Sequence, residues 1–239
     1  VIDRHDAQVR ATATAAVRRA TNGERLLQRI REEAGIDVEL ISGQREAELV
    51  FLGVQCGQVA HPRMLCADVG GGSTEVVVGH GDAVLSAVSL PVGAVTLSHP
   101  RLFHAPVSAA QQDGVRHDVR RLLQACAQLG VGGWDRAVAT SGSAQRIARV
   151  INAWRGRSPR RGVDGTIVTR ADLARLRNAL ADASSHDERL SIPGMDPERA
   201  DVLLGGVLIF EEDDVQVTVP GTAQTAEPTQ AEPEPDMEG

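Results

Sequence analysis

The chain has 239 residues, enough for one large domain or two small ones with real cores, and its 42% apolar and 24% charged content is ordinary for a globular protein. The net charge of −7 is uneven: residues 211–239 hold nine acids and no base, so the body is near +2 and an anionic substrate is not excluded. What is excluded is a membrane-spanning helix, because no apolar run nears ~18 residues, a disulfide framework, because there are only three cysteines, and a nucleic-acid surface of interleaved basic and aromatic residues.

Reduced thiols point to a cytoplasmic protein. Cys56, His61 and Cys66 fit no common zinc spacing. The start, Val-Ile-Asp-Arg-His, is neither a signal peptide nor a methionine start, which suggests a trimmed chain or a fragment. Every basic residue is Arg.

Residues 9–14 alternate weakly and predict a strand, followed by a helical turn that stops at Asn22-Gly23. Residues 24–35 have helical spacing, with Gly35 suited to the C-terminal cap. A strand follows over 36–42, then a helix over 43–57 with Ser42 near its cap. Residues 63–70 read as a buried strand, and the Val-rich stretch 74–91 as two more around a Gly-His-Gly-Asp turn. An amphipathic helix is expected over 107–129, a strand over 136–143, a helix over 144–154 and a short strand over 166–170. Thr169 with Asp172 resembles a capping box, and 196–210 reads as the last helix. From about 220 the chain is Pro/Glu-rich and expected to be disordered. The mixture makes the class α/β.

Three stretches carry chemistry. In Asp-Val-Gly-Gly-Gly-Ser-Thr-Glu (68–75) three glycines separate two carboxylates. A P-loop would need a Lys, and a dinucleotide fingerprint would need a helix to follow. Strand, bare turn, strand remains, a geometry that points N–H groups into one concavity and lets an anion touch the backbone. Ser73 and Thr74 add hydroxyls, and Asp68 and Glu75 make best sense with a divalent cation between them and the anion. A plain Gly-rich hairpin would have the same sequence. The second stretch, Thr140-Ser141-Gly142-Ser143, opens a helix whose N-terminus favours anions, although an ordinary Ser-capped helix reads alike. Two such cradles suggest a substrate with more than one phosphate. The third is Glu46 in the first turn of its helix, where the dipole alone favours an acid. Beside a phosphoryl group the same carboxylate can act as a general base.

With these stretches in place, the chain resembles the exopolyphosphatase / guanosine pentaphosphate phosphohydrolase (Ppx/GppA) family from about Val9 to Phe210. Six segments match in order: 11–22, 41–54, 67–79, 89–98, 139–148 and 193–210. The resemblance implies an actin–Hsp70–sugar kinase-like (ribonuclease H-like) two-domain fold. A remnant of the first domain would cover 1–59, the second domain 60–210, and an acidic tail 211–239. It implies hydrolysis of a terminal phosphoanhydride, of polyphosphate or of pppGpp, with Mg²⁺ or another divalent cation as cofactor. Glu46 takes the place of the catalytic base. Asp68 and Glu75 match acids tied to the cation and attacking water. Gly70, Gly71, Gly72, Ser73 and Thr74 match the phosphate loop, Ser141, Gly142 and Ser143 lie in the second loop, and Arg18 matches an Arg of the substrate channel.

Three departures stand out. The family opens with a strand and an Asp-x-Gly-Thr/Ser-Asn-Ser loop that these residues do not contain, so the first domain is expected to be incomplete at its N-terminus within them. Thr96 stands where the family usually carries Arg. An acidic stretch replaces a Gly-Leu-Arg-x-Gly-like segment after the last helix. An opened first sheet would leave an edge and apolar surface uncovered, so low stability or association, as in a homodimer, is expected. Two alternatives stay open: a non-catalytic polyphosphate or (p)ppGpp binder, and an ATP-using kinase of the same superfamily, although its paired glycines are missing near 139–147.

Overall fold

The computed structural model describes residues 9–56, 62–124, 133–157, 162–212 and 217–218. Strand β1 (Ala11–Ala13), helices α1 (Ala15–Arg19) and α2 (Gly23–Ala34), strand β2 (Val38–Leu40) and helix α3 (Gly43–Gln55) come first. Then come β3 (Arg63–Val69), β4 (Thr74–His80), β5 (Ala83–Leu90), α4 (Ala94–Ser98) and α5 (Ala109–Leu123). The remainder is β6 (Arg136–Thr140), α6 (Ser141–Trp154), β7 (Ile167–Val168), α7 (Arg170–Asp182), α8 (His186–Leu190), α9 (Leu203–Glu212) and β8 (Val217–Thr218). The α/β class expected from the sequence is what the chain adopts.

β1 and β2 pair in parallel as a small sheet. The larger sheet has the order β5-β4-β3-β6-β8-β7. Its hairpins β3–β4 and β4–β5 are antiparallel, whereas β3 and β6 run parallel. Alternation along the strands gives the sheet two apolar faces. Met64, Cys66, Val77 and Val138 face Ala47, Phe51 and Val54 of α3. Ala67, Val69 and Ala139 face the opposite way, into a larger core filled by α5, α6, α7 and α9. Helix α3 is seated by a close fit: a Cβ at Gly79 would lie 2.2 Å from Cζ of Phe51, so the ring occupies the space that a side chain on β4 would need.

Local signals explain most boundaries. Gly35 ends α2 in the left-handed region at φ 65°, and Ser42 caps α3 by accepting from the Arg45 amide. Thr169 and Asp172 form the expected box at α7. Two expectations differ. The matching segment 89–98, which the family resemblance makes a strand pair, instead ends β5 and turns into α4, because Thr96 Oγ1 accepts from the Gly93 amide and donates back to its carbonyl. The last helix begins at Leu203, not near 196, because Asp196 Oδ1 takes the Glu198 amide and successive turns carry 196–202. Glu211 and Glu212, the first acids of the expected tail, close α9, with Glu212 paired to Arg116 and Arg120. The tail beyond them lies outside the described residues apart from Val217–Thr218, as do His61 and Cys126. No described helix is long and apolar enough to cross a membrane.

Helix α4 supports the glycine turn between β3 and β4. The Ala94 amide donates to the Gly70 carbonyl, and the Val95 and Thr96 amides donate to the Gly71 carbonyl. Gly93 presses against this turn: a Cβ there would lie 2.6 Å from the Gly71 carbonyl carbon and 2.7 Å from the Gly70 oxygen. Gly93→Ala should therefore cost about 1–3 kcal/mol, the range for overpacking, as measured by denaturant melts. A cost within experimental error would show that the turn is not held from this side.

Candidate active site

The strand registers build a polar row at one end of the larger sheet. Ser89 pairs with Glu75, Glu75 with Asp68, and Asp68 with Thr140, so the row runs β5-β4-β3-β6. It lies on the α3 face, two residues beyond the apolar Cys66 and Val77. Ser89 Oγ donates to Glu75 Oε1 at 2.7 Å. Ser73 also hydrogen-bonds Glu75, and Ser141 hydrogen-bonds Asp68.

Above this row stands Glu46, in the first turn of α3. Both terminal guanidinium nitrogens of Arg18, Nη1 and Nη2, lie 3.3 Å from Glu46 Oε2, and Nη1 also donates to the Ile41 carbonyl at 2.8 Å. The pair is partly sheltered, with side-chain exposures of 27% and 18%. The charge of Glu46 is felt at both Asp68 and Glu75, so the helix carboxylate and the strand carboxylates share one region.

Burial raises the Asp68 carboxyl above its ordinary value; the Ser141 hydroxyl opposes this and the Glu46 charge adds to it. Burial likewise pushes Glu75 up to about 7, against the Ser89 and Ser73 hydroxyls and with help from Glu46 and Asp68. Burial, with Asp68 nearby, pushes the Cys66 thiol up to about 12, so it sits in the core as an unreactive apolar group.

The glycine turn forms a wall between two hollows. One, of about 420 Å³, is lined by Arg18, Arg19, Gly43, Ser73 and Ser89. The other, of about 110 Å³, is lined by Gly70, Gly71, Gly142, Ser143, Arg146 and Arg199. None of the three loop glycines has positive φ. A Cβ would meet Ser73 O at 3.2 Å from Gly70, Val95 Cγ2 at 3.4 Å from Gly71, and Ala15 Cβ at only 3.9 Å from Gly72. The protein's own packing would admit a Cβ at Gly71 and Gly72, so it does not by itself require glycine there.

The residues singled out from sequence thus divide. Arg18 and Ser73 line the larger hollow and Gly70 and Gly71 the smaller one, while Glu46 reaches the larger hollow through its pair with Arg18 and Glu75 through the Ser89 and Ser73 hydroxyls. Thr74 lines neither: it is fully buried and its hydroxyl donates to the Val92 carbonyl at 2.7 Å, so it anchors the strand end. Gly142 and Ser143 line the smaller hollow, while Ser141 Oγ reaches the Val69 carbonyl at 2.9 Å. Ser141 has φ 74°, a strained conformation for a residue with a Cβ. Arg146 lies beside them, bonding the Gly142 carbonyl at 3.0 Å and Asp196 at 2.6 Å. Sequence reading missed Ser89, Arg19 (3.0 Å from the Gly72 carbonyl) and Gly93. Ser89 could have been found from the hairpin register, which puts it opposite Glu75.

No group of three or more His, Cys, Asp or Glu among the described residues is arranged to hold a metal. Asp68 and Glu75 suit instead a Mg²⁺ that keeps its waters and takes substrate oxygens, because such ions need only one or two carboxylates.

Comparison with known proteins shows the family. The model of the Ppx/GppA phosphatase family matches residues 1–213. Two curated relatives called guanosine-5'-triphosphate,3'-diphosphate pyrophosphatase, from Vibrio parahaemolyticus and Vibrio vulnificus, are 31% and 32% identical over 206 residues, 84% of this chain and 39% of theirs. The chain therefore spans about two-fifths of the length of these relatives. The crystal structure of the Aquifex aeolicus Ppx/GppA family member superposes with a TM-score of 0.77 at 26% identity, covering 92% of this chain and 72% of that one. An exopolyphosphatase from Cytophaga hutchinsonii gives 0.76 at 29% identity, covering 92% and 73%.

A carboxyl whose value is raised by folding keeps its proton to higher pH in the folded state, so its stabilising contribution is complete below the unfolded value and is lost as pH rises through the folded one. For Glu75 that window runs from 4.5 to about 7. Metal-free protein should lose up to about 3 kcal/mol across it. Glu75→Gln should flatten that limb in denaturant melts at pH 5 and pH 8. An unchanged slope would show that Glu75 is ionised throughout.

Proposed function

The chain belongs to the Ppx/GppA phosphatase family, and from that premise we propose that it hydrolyses a terminal phosphoanhydride, releasing phosphate from the end of inorganic polyphosphate. The observation that carries this reading is the placement of Glu46 over Asp68 and Glu75 beside a glycine turn whose bareness packing does not require.

In this reading the backbone of Gly70, Gly71 and Gly72 and the Ser73 hydroxyl receive the terminal phosphoryl oxygens. Arg18, resting on Glu46, offers a planar fork that phosphate oxygens can claim. Moving the guanidinium onto phosphate frees Glu46 Oε2 to accept a proton from water aligned behind the phosphorus. The P–O bond to the rest of the chain breaks as the water oxygen bonds to phosphorus, and the leaving phosphate carries away the negative charge. Asp68 and Glu75 would hold Mg²⁺ or another divalent cation, which neutralises charge on the transferring group when bound. Gly142 and Ser143, across the glycine wall, would receive phosphates further along the chain.

Polyphosphate is favoured by the larger hollow, whose lining contains two arginines and no aromatic ring for a base to stack on. A second reading, removal of the 5′-terminal phosphate of pppGpp, is favoured by the name of the Vibrio relatives. A third, binding of polyphosphate or (p)ppGpp without turnover, is the state in which Arg18 never leaves Glu46.

Phosphate release from polyphosphate and from pppGpp, measured side by side with Mg²⁺, tests the proposal. Glu46→Gln should lower kcat about 10²–10⁴-fold, the usual share of a general base, with little change in melting temperature. A variant that keeps more than half of the wild-type rate would remove Glu46 from the chemistry.

A further inference from the structure

Ser89 makes two contacts in two directions. Its Oγ donates to Glu75 Oε1 across the β4–β5 pair at 2.7 Å. Behind it lies the first residue of α3: a Cβ built on Gly43 would fall 2.5 Å from both Cβ and Oγ of Ser89. The helix start is thus pressed against the residue that holds Glu75, and Glu46 follows within one turn. The Ser42 cap and the Arg18 bridge to Ile41 and Glu46 fix the same turn from its other sides.

We propose that Ser89, docked on Gly43, is the positioning residue that sets the Glu75 carboxylate against Glu46. Serine supplies the donor to Glu75, and the bare backbone of Gly43 leaves room for it. Alanine would leave Glu75 Oε1 without this donor and free the carboxylate to rotate. A side chain at position 43 would lift the α3 turn that carries Glu46. Ser89 acts through Glu75, and the inference rests on the assignment of Glu75 to the cation and phosphoryl site under the proposed function.

The test compares wild type with Ser89→Ala, using Ser86→Ala as control; Ser86 lies three residues earlier on β5, opposite Val78. Far-UV circular dichroism and melting temperature report folding, phosphate release gives kcat and KM, and electron paramagnetic resonance gives the affinity for Mn²⁺ alone. Ser89→Ala should lower kcat about 10–100-fold, the range for losing a hydrogen bond to a charged group. KM should stay within about twofold and Mn²⁺ binding should weaken at least fivefold, while Ser86→Ala changes none of these. Where the wild type turns over substrate, an unchanged kcat, a change in KM alone, or a loss that tracks unfolded protein overturns the proposal. Where the wild type hydrolyses neither polyphosphate nor pppGpp, the proposed function fails and the Mn²⁺ arm decides. Weaker binding by Ser89→Ala then upholds the positioning role; equal affinity, or no Mn²⁺ binding by the wild type, overturns it.

Discussion

Phe51 on Gly79 is the contact from which the site follows. The ring takes the space that any side chain at Gly79 would fill, and Phe51 is wholly buried with Ala47 and Val54 along the same helix stripe. That stripe fixes how α3 lies on the sheet. Because Glu46 precedes Ala47, seating the stripe also carries the carboxylate to the end of the sheet, over Asp68 and Glu75. One packing choice far from the chemistry therefore sets the geometry of the acids. Gly43 against Ser89 repeats the device closer in, with a bare backbone again allowing helix and strand to approach.

The electrostatics of the resting protein show what this geometry costs. Three carboxylates in one partly buried region repel, and the structure answers each differently. Glu46 is met by Arg18, Glu75 by two serine hydroxyls and a raised affinity for protons, and Asp68 by the Ser141 hydroxyl. None of these answers is a full neutralisation. A cation beside Asp68 and Glu75 would relieve their repulsion, and phosphate arriving at Arg18 would release Glu46.

Much of this was legible in the chain because its signals are local. The Gly-Gly-Gly turn between Val-rich strands, the Ser42 cap before Glu46 and the Thr169–Asp172 box each bring the partners within a few residues. In the chain the Thr74 hydroxyl beside a glycine turn looks like a ligand donor, and only the fold reveals that Val92 accepts from it. Helix α4 was misread because Val-Gly-Ala-Val has strand composition, and its helicity depends on the Thr96–Gly93 exchange and on the Gly70 and Gly71 carbonyls supplied by a distant turn. Ser89 and Arg19 went unseen for a related reason: their partners, Glu75 and the Gly72 carbonyl, are 14 and 53 residues away. The answer to why the turn is bare is also divided. Gly93 is glycine because protein backbone crowds it, whereas at Gly71 and Gly72 a Cβ would make only ordinary contacts, so packing does not account for their bareness.

A crystal structure of the protein with Mg²⁺ and orthovanadate, a stand-in for the transferring phosphoryl group, tests the central claim most directly. The account predicts vanadate seated on the Gly71 and Gly72 backbone, the cation on Asp68 and Glu75, Arg18 turned onto vanadate oxygens, and Glu46 within about 3 Å of the apical oxygen. Vanadate found only beside Gly142 and Ser143, or on the surface, with Arg18 still resting on Glu46, would contradict it.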